Sequence, residues 1–384
     1  VSRHLITKSI MERGIDLKPS VRKYYVEVIP ATPDNPLPDW ERVQLELSRR
    51  FGLSNISIDY HALLSLPKII RQTNWSITAS VWMDKEVIKI EPGLVETGYG
   101  LALDIGTTTL AGYLCNLDSG EVLASDSIMN PQITYGEDVM SRITYAISNK
   151  DGLQKMNQAI VRSINQLARQ VCLQAGITQQ DILDMTIVGN TCMHHLVLGI
   201  NPEHLGQSPF SPSIQSSLDM KARELGLKIS PGAYVHVLPI EAGFVGADNV
   251  GVLIAEEPHN QNEMILIIDI GTNGELVLGN RDKLTCASCA TGPALEGANI
   301  KFGMRAAPGA IEQVEIDPDS KEVSYKVIGQ KDSEAMKPKG ICGSGIIDAI
   351  AQMLMAGILQ LSGRFDTNLS TPRLRSTKEG REFV

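Results

Sequence analysis

Aromatic residues, cysteines, basic charge and long apolar runs are all scarce in this sequence. Aromatics make up 5% of 384 residues, too few for the stacking platforms that hold single-stranded nucleic acids. Lys and Arg number 35 against 44 Asp and Glu, a formal charge of −9, which argues against a protein held mainly by nucleic-acid phosphates. No apolar stretch approaches the ~18–20 residues of a membrane span, and the opening residues do not read as a signal peptide. Six cysteines in so long a chain are no disulfide framework; they fit a reducing cytoplasm. What is present is ordinary for a globular protein: 43% hydrophobic and 21% charged residues, too apolar for disorder. At ~150 residues per domain the length suggests two or three domains, since single cores stop growing near ~250–300 residues.

The first 23 residues hold six basic side chains (Arg3, Lys8, Arg13, Lys18, Arg22, Lys23) against Glu12 and Asp16. With Pro19, residues 1–22 fit a short linker better than a targeting presequence. Residues 23–97 read as a small α/β middle domain. It has a strand over 24–28, a Pro-rich loop over 30–38, and Asp39 as N-cap of a helix running through Phe51. A helix over 61–72 and a hairpin around Asp84 and Lys85 follow. It carries no chemical motif and reads as a packing or docking module. The chain starts at Val1 rather than Met and stops on a strand-like Arg381-Glu-Phe-Val384, so a piece of a longer protein is expected.

From residue 98 the pattern lengthens. A buried-type strand over 100–104 runs into Asp104-Ile-Gly-Thr-Thr-Thr109, followed by strands over 110–117 and 121–128 and helices over 136–148 and 153–176. A strand over 185–188 ends in Gly189-Asn190-Thr191; a strand over 234–238 and a helix over 244–257 complete the unit. The opening then recurs: a strand over 264–269 runs into Asp269-Ile-Gly-Thr-Asn-Gly-Glu275, with strands over 276–279 and 283–290. Such a repeat divides the chain into a first half, 98–260, and a second, 261–384, and implies a pseudo-symmetric α/β pair with a cleft between its members.

In both copies an apolar strand delivers an Asp, then a Gly, then small polar residues in a tight turn. Glycine permits the sharp turn and a close ligand approach, and exposed N–H groups of such a turn cradle phosphate oxygens. This marks Gly106, Thr107, Thr108, Thr109, Gly271, Thr272, Asn273 and Gly274 as phosphate-binding candidates. Asp104 and Asp269 would repel phosphate directly; their sensible role is to hold Mg²⁺ through water. A lone turn of this kind could be a structural hairpin, whereas two at matching offsets point to a nucleotide.

The pair of turns resembles the phosphate motifs of the acetate/sugar kinase, heat-shock chaperone and actin superfamily. Within it, the chain is most similar to the ATP-dependent reductive activators of corrinoid proteins. The supporting segments are Val21-Arg-Lys-Tyr-Tyr-Val26, Asn130-Pro-Gln132, Gly136-Glu-Asp-Val-Met-Ser-Arg142, Val188-Gly-Asn-Thr-Cys-Met-His-His195, Gly292-Pro-Ala-Leu-Glu-Gly-Ala298 and Ile341-Cys-Gly-Ser-Gly-Ile-Ile-Asp348. The resemblance implies a duplicated ribonuclease H-like, actin-like ATPase fold whose second half is incomplete here. It implies ATP and Mg²⁺ as cofactors and ATP-dependent reduction of a corrinoid protein from Co(II) to Co(I) in a methyltransferase system. The implied partners are a corrinoid iron–sulfur protein or corrinoid methyltransferase subunit, with electrons arriving through an N-terminal ferredoxin domain bearing a 2Fe–2S cluster. A homodimer is compatible with it, and nucleic acid and membranes are not expected partners. Relatives also carry a Gly-Gly adenosine motif; here no Cys precedes Cys115 and no Gly-Gly follows Ile341. The rival readings are a small-molecule kinase of the same superfamily and a non-catalytic nucleotide-binding assembly protein.

Asp138 and Arg142, one helical turn apart, read either as an i,i+4 ion pair or as a catalytic pair. In the second case the carboxylate aims a water at the γ-phosphate and the guanidinium counters developing charge. Glu296 and the helix start at Gly343 and Ser344 resemble the family's nucleotide-side segments, but also suit helix packing. Gly243, between Glu241 and Asp248, suits a close approach near the cleft. Cys286 and Cys289 lack the second pair that a zinc site needs and sit in an alternating strand, so packing is preferred. His194 and His195 point about 100° apart on a helix, awkward for one metal. Asn190 and Thr191 are the better functional candidates, with His194 a weak candidate for contacting a partner.

Overall fold

A computed structural model describes residues 17–271, 273–290, 300–330, 337–377 and 380–384. They form two compact units, one running to Ile267 and including Leu276–Ala287, the other made of Ile268–Glu275 and Ser288–Val384. The fold is mixed α/β, as the sequence predicts. No helix of the described residues is long and apolar enough to cross a membrane.

The first unit opens with β1 (Val21–Glu27), α1 (Asp39–Phe51), β2 (Ser57–Ile58), α2 (Tyr60–Gln72), β3 (Ser76–Trp82) and β4 (Glu86–Pro92). The strands form one sheet in the order β1-β3-β4-β2. On one face of β3, Ile77, Ala79 and Val81 pack with Val43 and Leu47 of α1 and Leu66 and Ile70 of α2, while Thr78 and Ser80 between them are buried as well, so the strand is covered on both faces. The β3–β4 hairpin turns through Met83 and Asp84, both at positive φ, the twist that tight hairpins favour. Asp39 is not the N-cap. Pro38 takes the extended cap conformation, and Asp39, first in the helix, binds Arg71 at 2.6 and 3.0 Å.

Next come β5 (Tyr99–Ile105), β6 (Thr109–Asn116), β7 (Val122–Met129), α3 (Val139–Ser148), α4 (Gly152–Ala175), β8 (Ile182–Gly189), α5 (Thr191–Leu198), β9 (Leu218–Lys221), β10 (Tyr234–Val237) and α6 (Ala247–Glu256). Their sheet runs β7-β6-β5-β8-β10-β9. The three leading strands form an antiparallel meander, and β8 and β10 add in parallel. Along α4, Met156, Ile160, Ile164, Leu167 and Val171 are completely buried, the stripe that pins this helix to the sheet. Ile105 and Gly189 are register partners. The parallel pair β5 and β8 therefore brings the Gly106 turn and Asn190 side by side at the strands' carboxyl ends, where open α/β sheets place ligands.

The two sheets of this unit dock tightly. A Cβ on Gly232 would lie 1.9 Å from the Ile88 carbonyl oxygen, and Trp82 stacks on Tyr234 with centroids 3.8 Å apart. Lys221 reaches Glu86 at 2.5 Å and Asp59 at 3.3 Å, and Arg223 meets Asp59 at 2.8 Å.

The repeat opens with β11 (Ile265–Ile270), β12 (Asn273–Gly279) and β13 (Leu284–Ala290), a three-stranded sheet in chain order, as in the meander of the first copy. Then β14 (Ala310–Ile316), β15 (Val323–Val327) and β16 (Gly340–Ile341) precede α7 (Gly343–Met355), β17 (Leu374–Thr377) and β18 (Gly380–Phe383). Here β14 lies between β15 and β16. Val314 and Ile316 of β14 share a core with Ala356 and Ile358.

Candidate functional site

The first turn is closed by the Gly106 N–H, which donates to the Thr109 carbonyl at 2.9 Å. A Cβ at Gly106 would lie 2.8 Å from that same oxygen, so the turn needs glycine for space, not for an unusual φ. Thr107 is buried, Thr109 half-buried, and Thr108 and Asp104 are exposed.

Three side chains hold this turn from the protein side. Asn130, wholly buried, donates to the Gly106 carbonyl at 2.8 Å, and its own amide donates to the Thr108 carbonyl at 2.8 Å. Asn190 donates from Nδ2 to Thr107 Oγ1 at 2.9 Å while its Oδ1 caps α5 by accepting the Met193 N–H at 3.0 Å. Arg142, also wholly buried, donates to the Thr107 carbonyl at 2.5 Å, to the Gly136 carbonyl at 2.9 Å and to the Met193 sulfur at 3.0 Å. Burial pushes its guanidinium down to about 10 against the smaller pull of Cys192 and Asp138, so it stays charged at neutral pH.

Asp138 stands half-buried at the head of α3, which starts three residues later than expected. Its extended backbone makes it the N-cap, with its carboxylate accepting the Ser141 N–H at 2.8 Å and Ser141 Oγ accepting its own N–H at 3.1 Å. The capping box satisfies amide groups a free helix end leaves open. Arg142 accordingly faces carbonyls of the turn, and among the described residues it hydrogen-bonds no carboxylate.

Behind Asn190, Thr191 donates to the Ala242 carbonyl at 2.6 Å. His195 bonds the Thr191 carbonyl through Nδ1 at 2.9 Å and accepts the Ser213 N–H at Nε2, 3.0 Å, an arrangement that fixes it as the neutral Nδ1–H tautomer. His194 is 3% exposed and both ring nitrogens lack partners; burial, helped by His195, pushes it down to about 4. Its folded value lies below the unfolded one, so its protonation favours unfolding. This contribution is fully present above about pH 6.5 and is lost as the pH falls towards 4. By pH 4.5 the wild type is expected to lose roughly 2–3 kcal/mol from this group alone. His194→Leu is expected to lack that slope when urea midpoints are compared at pH 7 and pH 4.5; parallel slopes in the two proteins would refute the assignment.

Sequence reasoning missed Gly246 here. A Cβ on it would lie 2.4 Å from Asn190 Cα and 2.6 Å from the Gly189 carbonyl oxygen, so the start of α6 presses on the residue that holds Thr107. Gly243 makes the close approach expected of it, though to a loop: its Cβ would lie 2.2 Å from the Phe210 carbonyl oxygen.

In the second copy the Gly271 N–H donates to the Asn273 carbonyl at 3.0 Å, one residue tighter than the first turn. Asp269 is half-buried, Gly271 exposed and Gly274 buried. Thr272 and Glu296 lie outside the described residues, as does all of 291–299. Gly343 opens α7 behind Cys342 as N-cap, with Ser344 exposed and its Oγ 3.1 Å from the Cys342 thiol. A Cβ on Gly345 would lie 2.4 Å from the Ile311 carbonyl oxygen, so Gly345 serves close helix–strand packing. Cys286 and Cys289 are exposed and do not share a ligand: one thiol is 2.8 Å from Glu241, the other 3.3 Å from the Gly274 carbonyl. Glu241 pushes the Cys286 thiol up to about 11.

Three regional sequence models match in order. Residues 11–97 match the RACo linker region, 99–261 the RACo middle region, and 263–384 the C-terminal domain of RACo, the ASKHA domain. The corrinoid activation enzyme RamQ of Eubacterium limosum is 42% identical over 267 residues, 70% of this chain and 44% of that protein. The Co(II) methylated amine-specific corrinoid protein reductase of Methanosarcina barkeri is 28% identical over 288 residues, 68% of this chain and 52% of its own. The chain thus spans about half the length of the curated relatives it matches. A solved reductive activator for corrinoid, iron–sulfur protein superposes with a TM-score of 0.70 at 37% identity, over 97% of this chain and 59% of that one. Linker, middle and ASKHA regions follow one another along nearly the whole sequence, and the chain belongs to the RACo family of reductive activators.

Proposed function

We propose that this chain is the nucleotide-using body of a reductive activator that returns a corrinoid protein from Co(II) to Co(I) at the expense of ATP, in a cytoplasmic methyl-transfer system. The observation that carries the reading is the Gly106–Thr109 turn, gripped by Asn130, Asn190 and a buried cationic Arg142. A glycine turn at the end of a parallel strand, backed by a buried cation that hydrogen-bonds carbonyls and a sulfur, suits a polyanion.

In this reading Thr107 and Thr108 take phosphate oxygens through main-chain N–H groups and Thr108 and Thr109 through their hydroxyls, while Gly106, its own N–H closing the turn on the Thr109 carbonyl, lets the chain turn tightly beneath them. Gly271, Thr272, Asn273 and Gly274 supply the same chemistry in the second copy, and Glu296, Gly343 and Ser344 serve the nucleoside side. Asp104, exposed at the end of β5, and Asp269 hold Mg²⁺ through its waters, since that ion keeps much of its hydration and needs only a carboxylate or two beside phosphates. Asp138 is our candidate for aiming a water at the γ-phosphate; Arg142 reaches the nucleotide only through the turn.

Bound ATP supplies the free energy for an electron transfer that each ~59 mV of unfavourable potential otherwise costs a factor of ten. The cysteines described do not fit a 2Fe–2S cluster. Cys115, Cys172, Cys192 and Cys342 are buried or half-buried on separate elements, and no group of three or more metal-binding side chains exists among the described residues. The electron therefore arrives from a centre outside these residues.

The test is reactivation of an oxidised corrinoid protein by the full-length activator, followed through the cobalt absorption bands. With ATP, Mg²⁺ and a low-potential reductant the Co(II) spectrum is expected to give way to Co(I), and to persist when ATP is left out. A Co(II) spectrum unchanged in the complete mixture would sink the assignment.

A further inference from the structure

We propose that Arg142 is a positioning residue for nucleotide phosphates. Together with Asn130 it fixes two consecutive peptides of the first turn so that their N–H groups face the ligand, and its buried charge acts on the ligand across the turn. The inference rests on the reading of Gly106–Thr109 as a phosphate turn.

The geometry follows from peptide planarity. In a trans peptide the C=O and the next N–H point in opposite directions. Asn130 holds the Gly106 carbonyl inward at 2.8 Å, so the Thr107 N–H points outward. Arg142 holds the Thr107 carbonyl inward at 2.5 Å, so the Thr108 N–H points outward as well. Neither amide has a backbone acceptor among the described residues. Two adjacent outward N–H groups form an anion-binding concavity, and the exposed Thr108 lies at its mouth.

The charge makes the second half of the case. A buried cation that hydrogen-bonds no carboxylate gains from any further negative charge placed near it. Arg142 is wholly buried, and it spends its donors on two carbonyls and a thioether. Asp138 acts on it only through space, its carboxylate accepting the Ser141 N–H at the head of α3. Across one peptide from Arg142 lies the concavity itself. A polyphosphate seated there adds negative charge one peptide away from the buried guanidinium, where Coulomb attraction is screened less than in bulk water. An i,i+4 surface pair would do none of this.

The measurement is the ratio of ATP affinity to AMP affinity in the full-length protein, read by calorimetry. This ratio reports the field acting on the β- and γ-phosphates and is insensitive to a general loss of active protein. Arg142→Met is expected to lower it at least tenfold. Arg142→Lys keeps the charge but loses the fork that spans two carbonyls, and is expected to lower it about threefold. Should Arg142→Met fail to accumulate as folded protein, Arg142→Lys decides alone. A wild-type ratio in a folded variant overturns the proposal while leaving the phosphate turn intact. A wild-type protein that binds no ATP overturns the phosphate-turn reading and this proposal with it.

Discussion

Alanine at Gly246 is expected to lower ATP affinity at least tenfold, although residue 246 is far from the turn in sequence. Its backbone sits at φ −96° and ψ −170°, a conformation open to any residue, so the cost arises from contact alone. The new Cβ would meet Asn190 Cα at 2.4 Å, the Gly189 carbonyl oxygen at 2.6 Å and the Asn190 carbonyl carbon at 2.7 Å. All three are main-chain atoms, and none can swing aside as a side-chain tip would. Relief requires moving the end of β8, and with it the amide that holds Thr107 at 2.9 Å. Overpacking of this kind costs about 1–3 kcal/mol in stability. The effect on the site should be larger in proportion, because phosphate binding depends on sub-ångström placement of donors. Gly251→Ala in the same helix is the control. Its Cβ would find only the Val188 Cγ1 at an ordinary 3.5 Å, and relief of helical glycine should leave it neutral or slightly more stable. Calorimetry with ATP and a thermal melt check both variants. Wild-type affinity in Gly246→Ala would show that the turn and α6 are not packed as one piece.

The pattern that led to the turns was local, and that is why it was legible. An apolar strand, an Asp, a Gly and small polar residues fall within ten consecutive positions in the first copy and twelve in the second, and β5 and β11 follow that reading closely. Asn190 was also recoverable, since a strand end followed by Asn and a helix is a cap signature. Arg142 shows the opposite case. Four residues after Asp138, it carries the spacing of an exposed ion pair, yet Gly136–Asp138 stay outside the helix and turn the guanidinium inward. Whether a charged residue is buried depends on what lies across from it; here that is Thr107 and Met193, distant in sequence. Gly246 and Gly232 escaped for the same reason. Each is required because a backbone segment from elsewhere in the chain presses on it, a constraint that leaves no periodic trace. The small α/β domain likewise read as a module without chemistry, while the charges that dock it, Lys221 at the end of β9 and Arg223 in the turn after it, belong to the other part of the unit.

Removing the carboxylate of Asp59 is expected to cost about 3 kcal/mol, because breaking one partner out of a buried ion cluster leaves the others uncompensated. The side chain is 2% exposed and accepts from Arg223 at 2.8 Å, lies 3.3 Å from Lys221, and accepts the His61 N–H at 2.9 Å as the N-cap of α2. Asp59→Asn would retain part of the cap and lose the charge, so it isolates the docking contribution. Lys221 keeps Glu86 at 2.5 Å, which holds the loss below that of a fully orphaned ammonium. The pH dependence carries its own sign. Burial by itself would raise the Asp59 carboxyl, but Arg223, the His61 amide and Lys221 together outweigh it and hold the carboxyl below its ordinary value. Its stabilisation is thus complete above the unfolded value of about 4 and fades as the pH falls through the lower folded value. At pH 7 urea unfolding should separate wild type from Asp59→Asn by most of the predicted cost, and at pH 3 the gap should narrow. The family's linker region is then no tether, for the same ion cluster, the Trp82–Tyr234 stack and the Ile88–Gly232 approach join its sheet to the sheet that carries the phosphate turn. In wild type the two sheets should melt in one transition, and in Asp59→Ala the linker region should melt first. Two separate transitions already present in the wild type would contradict the rigid docking.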